Sequence, residues 1–390
     1  MPRYLQIGTV PGRRHAELCA PNGVPCAEEV FRAHGPDSAA SYLYHAHPFT
    51  DPIAFEPAED ARPELAPHGP LRYRHLCTWD MPARGDPITG RVPLLVNEDV
   101  SLSLCRPLDP MDGFFYKNGD ADEVLYIHEG AGHIETVFGT LSFGPGDYVV
   151  IPRGTIHRIV GEQGVPRMLV LESATPVQAP RAYLNDVGQL LDFAPYSERN
   201  IRVPQNLQVH EEEGRFEVRI KARGVITRYY YKHHPLDVVG WDGYVYPWAI
   251  NTRDLDASSV RVVSPSATIQ TLEGRGFVVG SLVPQSQDIL ACAGTIPYNY
   301  TNLETDEVFY YCNSQFGSRM GIAEGSITFH PAGLPHGVPH GSVEPVEPGG
   351  RTELLAVVLT TERPLHFTRA AAAMEDEAFA QKLARRQAAE

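Results

Sequence analysis

Cysteine is scarce and unpatterned in this chain. The six among 390 residues (Cys19, Cys26, Cys77, Cys105, Cys292, Cys312) form no Cys-x-x-Cys pair, so neither a zinc ribbon nor a dithiol redox motif is indicated, and reduced core thiols are the expectation. No apolar run approaches the ~20 residues of a membrane-spanning helix. The opening MPRYLQIGTVPGRRHAEL has no apolar leader segment, so a cytoplasmic protein without a membrane partner is predicted. Basic charge is in deficit, 33 Lys and Arg against 48 Asp and Glu, for a net charge of −15. A polyanion gains nothing from counterion release on nucleic acid, which excludes that class of partner. Helical patterning is confined to residues 369–390, where acidic residues precede basic ones in keeping with the helix dipole. A solvated tail would have the same composition. What is abundant is Gly and Pro, 34 of each and dispersed, as suits many short strands joined by tight turns.

The chain repeats itself. Residues 118–128 read NGDADEVLYIH and residues 302–312 read NLETDEVFYYC; downstream lie FGPGDYVVIPRGTIH (143–157) and IAEGSITFHPAGLPH (322–336). Each copy has Asn, then Asp-Glu-Val-x-Tyr, then a strand-like run ended by Pro-x-Gly, two further residues and a His. DEVLYI and DEVFYY are strands with alternate side chains on opposite faces. In a small barrel the Glu that starts one strand and the His after the turn converge on one centre. These paired motifs resemble those of the cupin superfamily. They imply a mainly all-β double cupin: two jelly-roll modules with an N-terminal arm and a short C-terminal helix. The expected organisation is an arm with extra strands over 1–105, an N-terminal cupin over 106–175, and connecting strands and an aromatic loop over 176–260. A C-terminal cupin over 261–368 and the helix over 369–390 complete it.

Over most of its length the chain further resembles homogentisate 1,2-dioxygenase and its bacterial relatives. The resemblance is carried by FYKNGDADEVLYIHEGAGHIETVFGTLSFGPGDYVVIPRG, by HHPLDVVGWDGYVYPW and by PYNY…DEVFYY…FHPAGLPHG. It implies a non-heme iron oxygenase that opens the ring of a small hydroxylated aromatic acid with O2, holds its metal in the C-terminal cupin, and assembles as a homo-oligomer (trimers or hexamers). It places metal ligands at Glu307 and His336 and an acid/base or orienting histidine at His330. The chain departs from the family where another histidine ligand should stand, reading Pro297-Tyr298-Asn299-Tyr300, and again around Pro265-Ser266, where no histidine precedes. A Tyr300 phenolate would favour Fe(III) over the Fe(II) of the family. A barrel-mouth acid and a turn histidine would account for Glu307 and His336 without metal, and an aromatic at a strand start is often packing.

In the first module Glu123 and His157 persist, but Lys117 stands near a ligand position and would repel a cation, which marks that barrel as structural. His45 and His47 form a His-x-His pair that on a strand faces one side and could reach the second barrel's mouth. His340, Trp241 and Tyr298 are candidates to line a substrate pocket, and core packing explains the tryptophan equally well. Two rival functions stay open: a metal-dependent non-redox cupin enzyme (isomerase, decarboxylase or hydrolase) and a non-catalytic double-cupin binding protein.

Overall fold

The computed structural model describes residues 3–33, 35–162, 164–257, 268–286, 299–316, 321–337 and 351–382. Two β-modules stand back to back. In the first, one sheet runs in the order Trp248–Asn251, Asp147–Ile151, Asp122–Glu129, Arg167–Ser173, Val100–Cys105, Arg91–Val96, His366–Phe367. The facing sheet runs Gly139–Phe143, Gly132–Thr136, His157–Gly161, Phe114–Asn118, Glu213–Ala222, Val225–His233, Ala54–Phe55. Their inner faces meet in one apolar cluster that includes Phe114, Tyr116, Leu125, Ile127, Ile134, Val149 and Ile159. The second module is built on a sheet in the order Ile269–Gly274, Phe277–Leu282, Ala356–Thr361, Asp306–Tyr311, Ile327–His330, Arg74–Leu76. A short ladder, Asn299–Thr301 with Pro335–Gly337, closes over its mouth. The architecture is the double cupin.

The period-two pattern of the repeated strand explains how the modules join. In Asp122–Glu129, Leu125 and Ile127 face the first barrel's interior, whereas Val124 and Tyr126 belong to a core shared with Val308 and Tyr310 of the second. The repeated tyrosines, Tyr126 and Tyr310, are therefore an inter-module pair, edge to face at 6.5 Å. Tyr148 and Ser281 add a hydroxyl pair at 2.8 Å across the same seam, and the Tyr310 hydroxyl is paired with His128 Nδ1 at 2.8 Å.

The structure differs from the sequence expectation at three places. Residues 91–105 do not lie in an arm: both strands there pair within the first barrel, while Arg74–Leu76 extends the second module's sheet. The aromatic stretch 233–250 is not an irregular loop. Val238–Gly243 and Trp248–Asn251 are strands, the former held between Leu5–Gly8 and Ala40–His45 and the latter against Asp147–Ile151. The helix is interrupted: Arg369–Ala373 is helical, capped by Thr368, whose hydroxyl accepts from Ala371 N–H, and residues 379–382 are helical again. Beyond Ala373 the backbone of Glu375 bridges to Leu76, and its carboxylate is paired with Arg72 (2.9 Å) and Arg74 (3.3 Å).

The N-terminal sheet and the end of Val225–His233 gather five histidines in two stacked pairs and a buried dyad. His47 lies on His233 at 4.0 Å and His210 on His234 at 4.0 Å. Burial, then the neighbouring His210, push His234 down to about 4. Burial alone would also lower His45, but hydrogen bonds with Asp237 (2.7 Å) and Glu29 (3.1 Å) outweigh it and raise His45 to about 9. The two act on stability in opposite senses. His234 is neutral in the fold, so its contribution is present above the unfolded histidine value near ~6.5 and is lost as pH falls from there to about 4. His45 is charged in the fold, so its contribution is present below ~6.5 and is lost as pH rises to about 9. Urea unfolding as a function of pH should therefore decline on both sides of pH ~6.5. His45→Gln should flatten the alkaline limb alone; an unchanged alkaline limb would disprove the assignment.

Candidate metal centre

Both halves of the repeat build a Glu/His pair with the same local devices. The Asp before each Glu is a staple. Asp122 accepts from Arg153 N–H (2.9 Å) and Val177 N–H (3.0 Å), and Asp306 accepts from Ala332 N–H (2.9 Å) and Leu365 N–H (2.8 Å). The Asn that opens each copy offers its main-chain carbonyl to the glycine of Pro-x-Gly, Asn118 to Gly154 and Asn302 to Gly333, each at 2.7 Å. Those glycines sit at φ 86° and 82°, a backbone region that favours glycine. With strand start and turn tied together, Glu and His face each other. Each His is also oriented the same way: His157 Nδ1 lies 3.1 Å from Thr155 O and His336 Nδ1 3.2 Å from Leu334 O. A carbonyl can only accept, so Nδ1 carries the proton and Nε2 turns a lone pair toward the glutamate.

The modules differ in what meets that lone pair. In the second, His336 Nε2 lies 2.8 Å from Glu307 Oε2, and the Tyr300 hydroxyl donates to the same oxygen at 3.0 Å. Tyr300 and His336 are ladder partners with ring centroids 4.3 Å apart. His330 sits opposite Glu307 in the strand register, its ring 4.7 Å from His336. Burial, then the neighbouring His336, push His330 down to about 3. Its Nε2 pairs with Thr328 Oγ1 at 3.1 Å, which in turn meets the Tyr311 hydroxyl at 3.1 Å, while its buried Nδ1 has no hydrogen-bond partner. Tyr73, from the N-terminal segment, leans over the site with its hydroxyl donating to Pro335 O and its ring 5.9 Å from His330.

This donor set fits a metal ion. Ligand atoms ~2.1 Å from one ion and at right angles to each other are separated by about 3.0 Å, and the two edges here are 2.8 and 3.0 Å. His336 Nε2 and Glu307 Oε2 lie 2.8 Å apart, a contact satisfied by a proton or by a cation between them. The donors are one imidazole, one carboxylate and one phenol. Among the described residues, no group of three or more His, Cys, Asp or Glu side chains is arranged to hold a metal.

In the first module the place is filled by Arg91. Its Nη1 and Nη2 donate to the Glu123 carboxylate at 2.5 and 3.1 Å, and Asn118 Nδ2 donates to Glu123 Oε1 at 2.8 Å. Sequence pointed to Lys117, and the structure corrects that. Tyr116 and Asn118 turn inward on the strand Phe114–Asn118, so Lys117 faces the other side, toward Phe31 and Gly154 at a cavity of about 80 Å³. The signal missed was an arginine at the start of the otherwise apolar RVPLLV. Thr328 and Tyr73 had no sequence signal.

The other candidates fall elsewhere. His45 and His47 are engaged by Asp237 and, for His47, by the His233 ring, so they belong to the N-terminal sheet and not to the second barrel's mouth. Trp241 is wholly buried with its indole N–H donating to Phe138 O at 2.9 Å, which leaves no surface for a substrate. His340, Tyr298 and the Pro265-Ser266 pair lie outside the described residues. Among the described residues, no helix is long and apolar enough to cross a membrane.

Residues 88–252 match the family model for the homogentisate 1,2-dioxygenase N-terminal region. A Saccharolobus solfataricus protein named "Putative dioxygenase SSO1533" is 29% identical over 380 residues, covering 96% of this chain and 97% of its own. Among solved structures, Bacillus subtilis oxalate decarboxylase aligns with 14% identity over 81% of this chain and 84% of its own, at a TM-score of 0.32. The Escherichia coli protein Ylba aligns with 11% identity over 75% and 92%, at 0.36. The chain is thus similar along its length to a protein named as a putative dioxygenase, and over residues 88–252 to the homogentisate 1,2-dioxygenase N-terminal region.

Proposed function

We propose that the protein is a non-heme iron oxygenase that cleaves the ring of a small hydroxylated aromatic acid with O2, working from the second barrel. Glu307, His336 and Tyr300 would hold the metal. The observation that carries this reading is the shared oxygen: Glu307 Oε2 meets both the Tyr300 hydroxyl and His336 Nε2, while the other ring nitrogen, Nδ1, is engaged by Leu334 O. Iron bound there supplies a path for electron density between substrate and O2. His330 is the positioning group. Thr328 holds its Nε2, and its unpartnered Nδ1 is the site for a hydrogen bond with a substrate hydroxyl. Tyr73 and Phe309, beside His330, exclude water and offer aromatic surface. A donor set with one nitrogen and two oxygens also suits a non-redox, Lewis-acid reaction, which differs in having no dependence on O2.

Metal analysis and the visible spectrum of protein purified in air test the assignment. Stoichiometric iron with a tyrosinate charge-transfer band, lost in Tyr300→Phe, is the expected result. Iron without that band would remove Tyr300 from the ligand set, and protein that binds no iron would overturn the proposal.

A further inference from the structure

The first barrel contains a charge arrangement that its function as a scaffold does not require. Arg91 is largely buried and bidentate on Glu123, and its Nη1 also lies 3.6 Å from Glu172. Glu172 is held by Lys221 at 2.6 Å and by Asn118 at 2.9 Å. The cluster thus balances two carboxylates against two cations. His157, fully buried, lies 3.9 Å from Glu123 Oε2, and its Nε2 has no hydrogen-bond partner. Its Nδ1 proton is committed to Thr155 O, as His336 commits its own to Leu334 O. An imidazole lone pair and a carboxylate therefore converge in a dry interior, with a guanidinium lodged against the carboxylate.

We propose that Arg91 is the first barrel's built-in cation: its guanidinium takes the position a metal ion would take beside Glu123 and His157, and once it is removed the barrel binds one divalent metal ion or one free alkylguanidinium. Removal of Arg91 leaves one uncompensated negative charge in a buried cradle that already presents the donor types that zinc accepts, imidazole nitrogen and carboxylate oxygen. Truncation to alanine also vacates the volume of a short alkylguanidinium, whose planar fork reproduces the lost bidentate contact. In the intact chain the same cradle is closed to metal by the guanidinium.

The test uses the full chain in a His336→Ala background, which breaks the second barrel's pair. Zinc and methylguanidinium are titrated separately into this parent and into Arg91→Ala made on it. The expected result is stoichiometric zinc uptake and a raised melting temperature with either ligand in the Arg91→Ala protein, neither response in the parent, and loss of both when Glu123→Gln is added. A variant that fails to accumulate is refolded with and without methylguanidinium, and a ligand-dependent yield reads the same property. Equal responses in parent and variant, responses that persist with Glu123→Gln, or no response at all would each overturn the proposal.

Discussion

Glu307→Ala should leave purified protein with little iron and reduce O2-dependent turnover by at least ~100-fold, since loss of even an outer-sphere partner of a metal ligand typically costs 10–100-fold. Glu307 is where the site's contacts meet. Tyr300 donates to its Oε2 and His336 approaches the same oxygen, while His330 faces it across the ladder. Without the carboxylate, an imidazole and a phenol remain, and neither brings a negative charge at neutral pH without first losing a proton. Glu307→Gln separates charge from shape: it keeps the volume and one acceptor, yet should be nearly as poor in iron. Thr328→Val, which removes only the group holding His330 Nε2, should keep the iron and lose turnover. Iron content is read by elemental analysis and turnover by an oxygen electrode against a panel of dihydroxylated aromatic acids. Glu307→Ala protein that keeps both iron and rate would end the case for this centre. The fold can be monitored separately, because the apolar seam around Tyr126 and Tyr310 is built from the opposite face of the same strand.

That separation of faces explains how much of the molecule was legible in the sequence. The Asp-Glu-Val-x-Tyr repeat encodes three things at once. Asp is the staple to the Pro-x-Gly turn, Glu points into the barrel, and Tyr points out to the other barrel. Composition and periodicity reveal the strand and the likeness between the halves, because both depend on neighbours in sequence. The residues that decide chemistry are set by contacts far along the chain. Arg91 is 32 positions from Glu123, and Tyr73 is 262 from Pro335. Lys117 stands near a ligand position in the motif, but strand alternation turns it away: Tyr116 and Asn118 are the inward neighbours. His45 and His47 do share a side, as their spacing indicates, but Asp237 receives them both. Trp241 belongs to a strand because its ladder partners, Ile7 and Leu43, come from the N-terminal segment.

Arg91→Met should destabilise the first barrel by about 3–5 kcal/mol, the usual cost of stranding one partner of a buried ion pair. Burial raises the Glu123 carboxyl, and the Arg91 guanidinium outweighs it, holding Glu123 well below the ordinary carboxylate range. The pair should therefore also shape the acid limb of stability. A group whose folded value is depressed contributes above its unfolded value near ~4.3, and that contribution is lost as pH falls below it. In Arg91→Met this loss should vanish, because a buried glutamate without its guanidinium is easier to protonate. Glu123→Gln should be costly as well, since it strands the arginine. The double variant Arg91→Met with Glu123→Gln should recover most of the stability, because neither charge is then left alone in the interior. Urea denaturation at neutral and acid pH, followed by far-UV circular dichroism, gives the four free energies of the cycle. Additive losses would show that the two side chains do not act as a pair. A coupling comparable to the single losses would identify them as one unit, an ion pair held where the other barrel presents Tyr300 and His336 to Glu307.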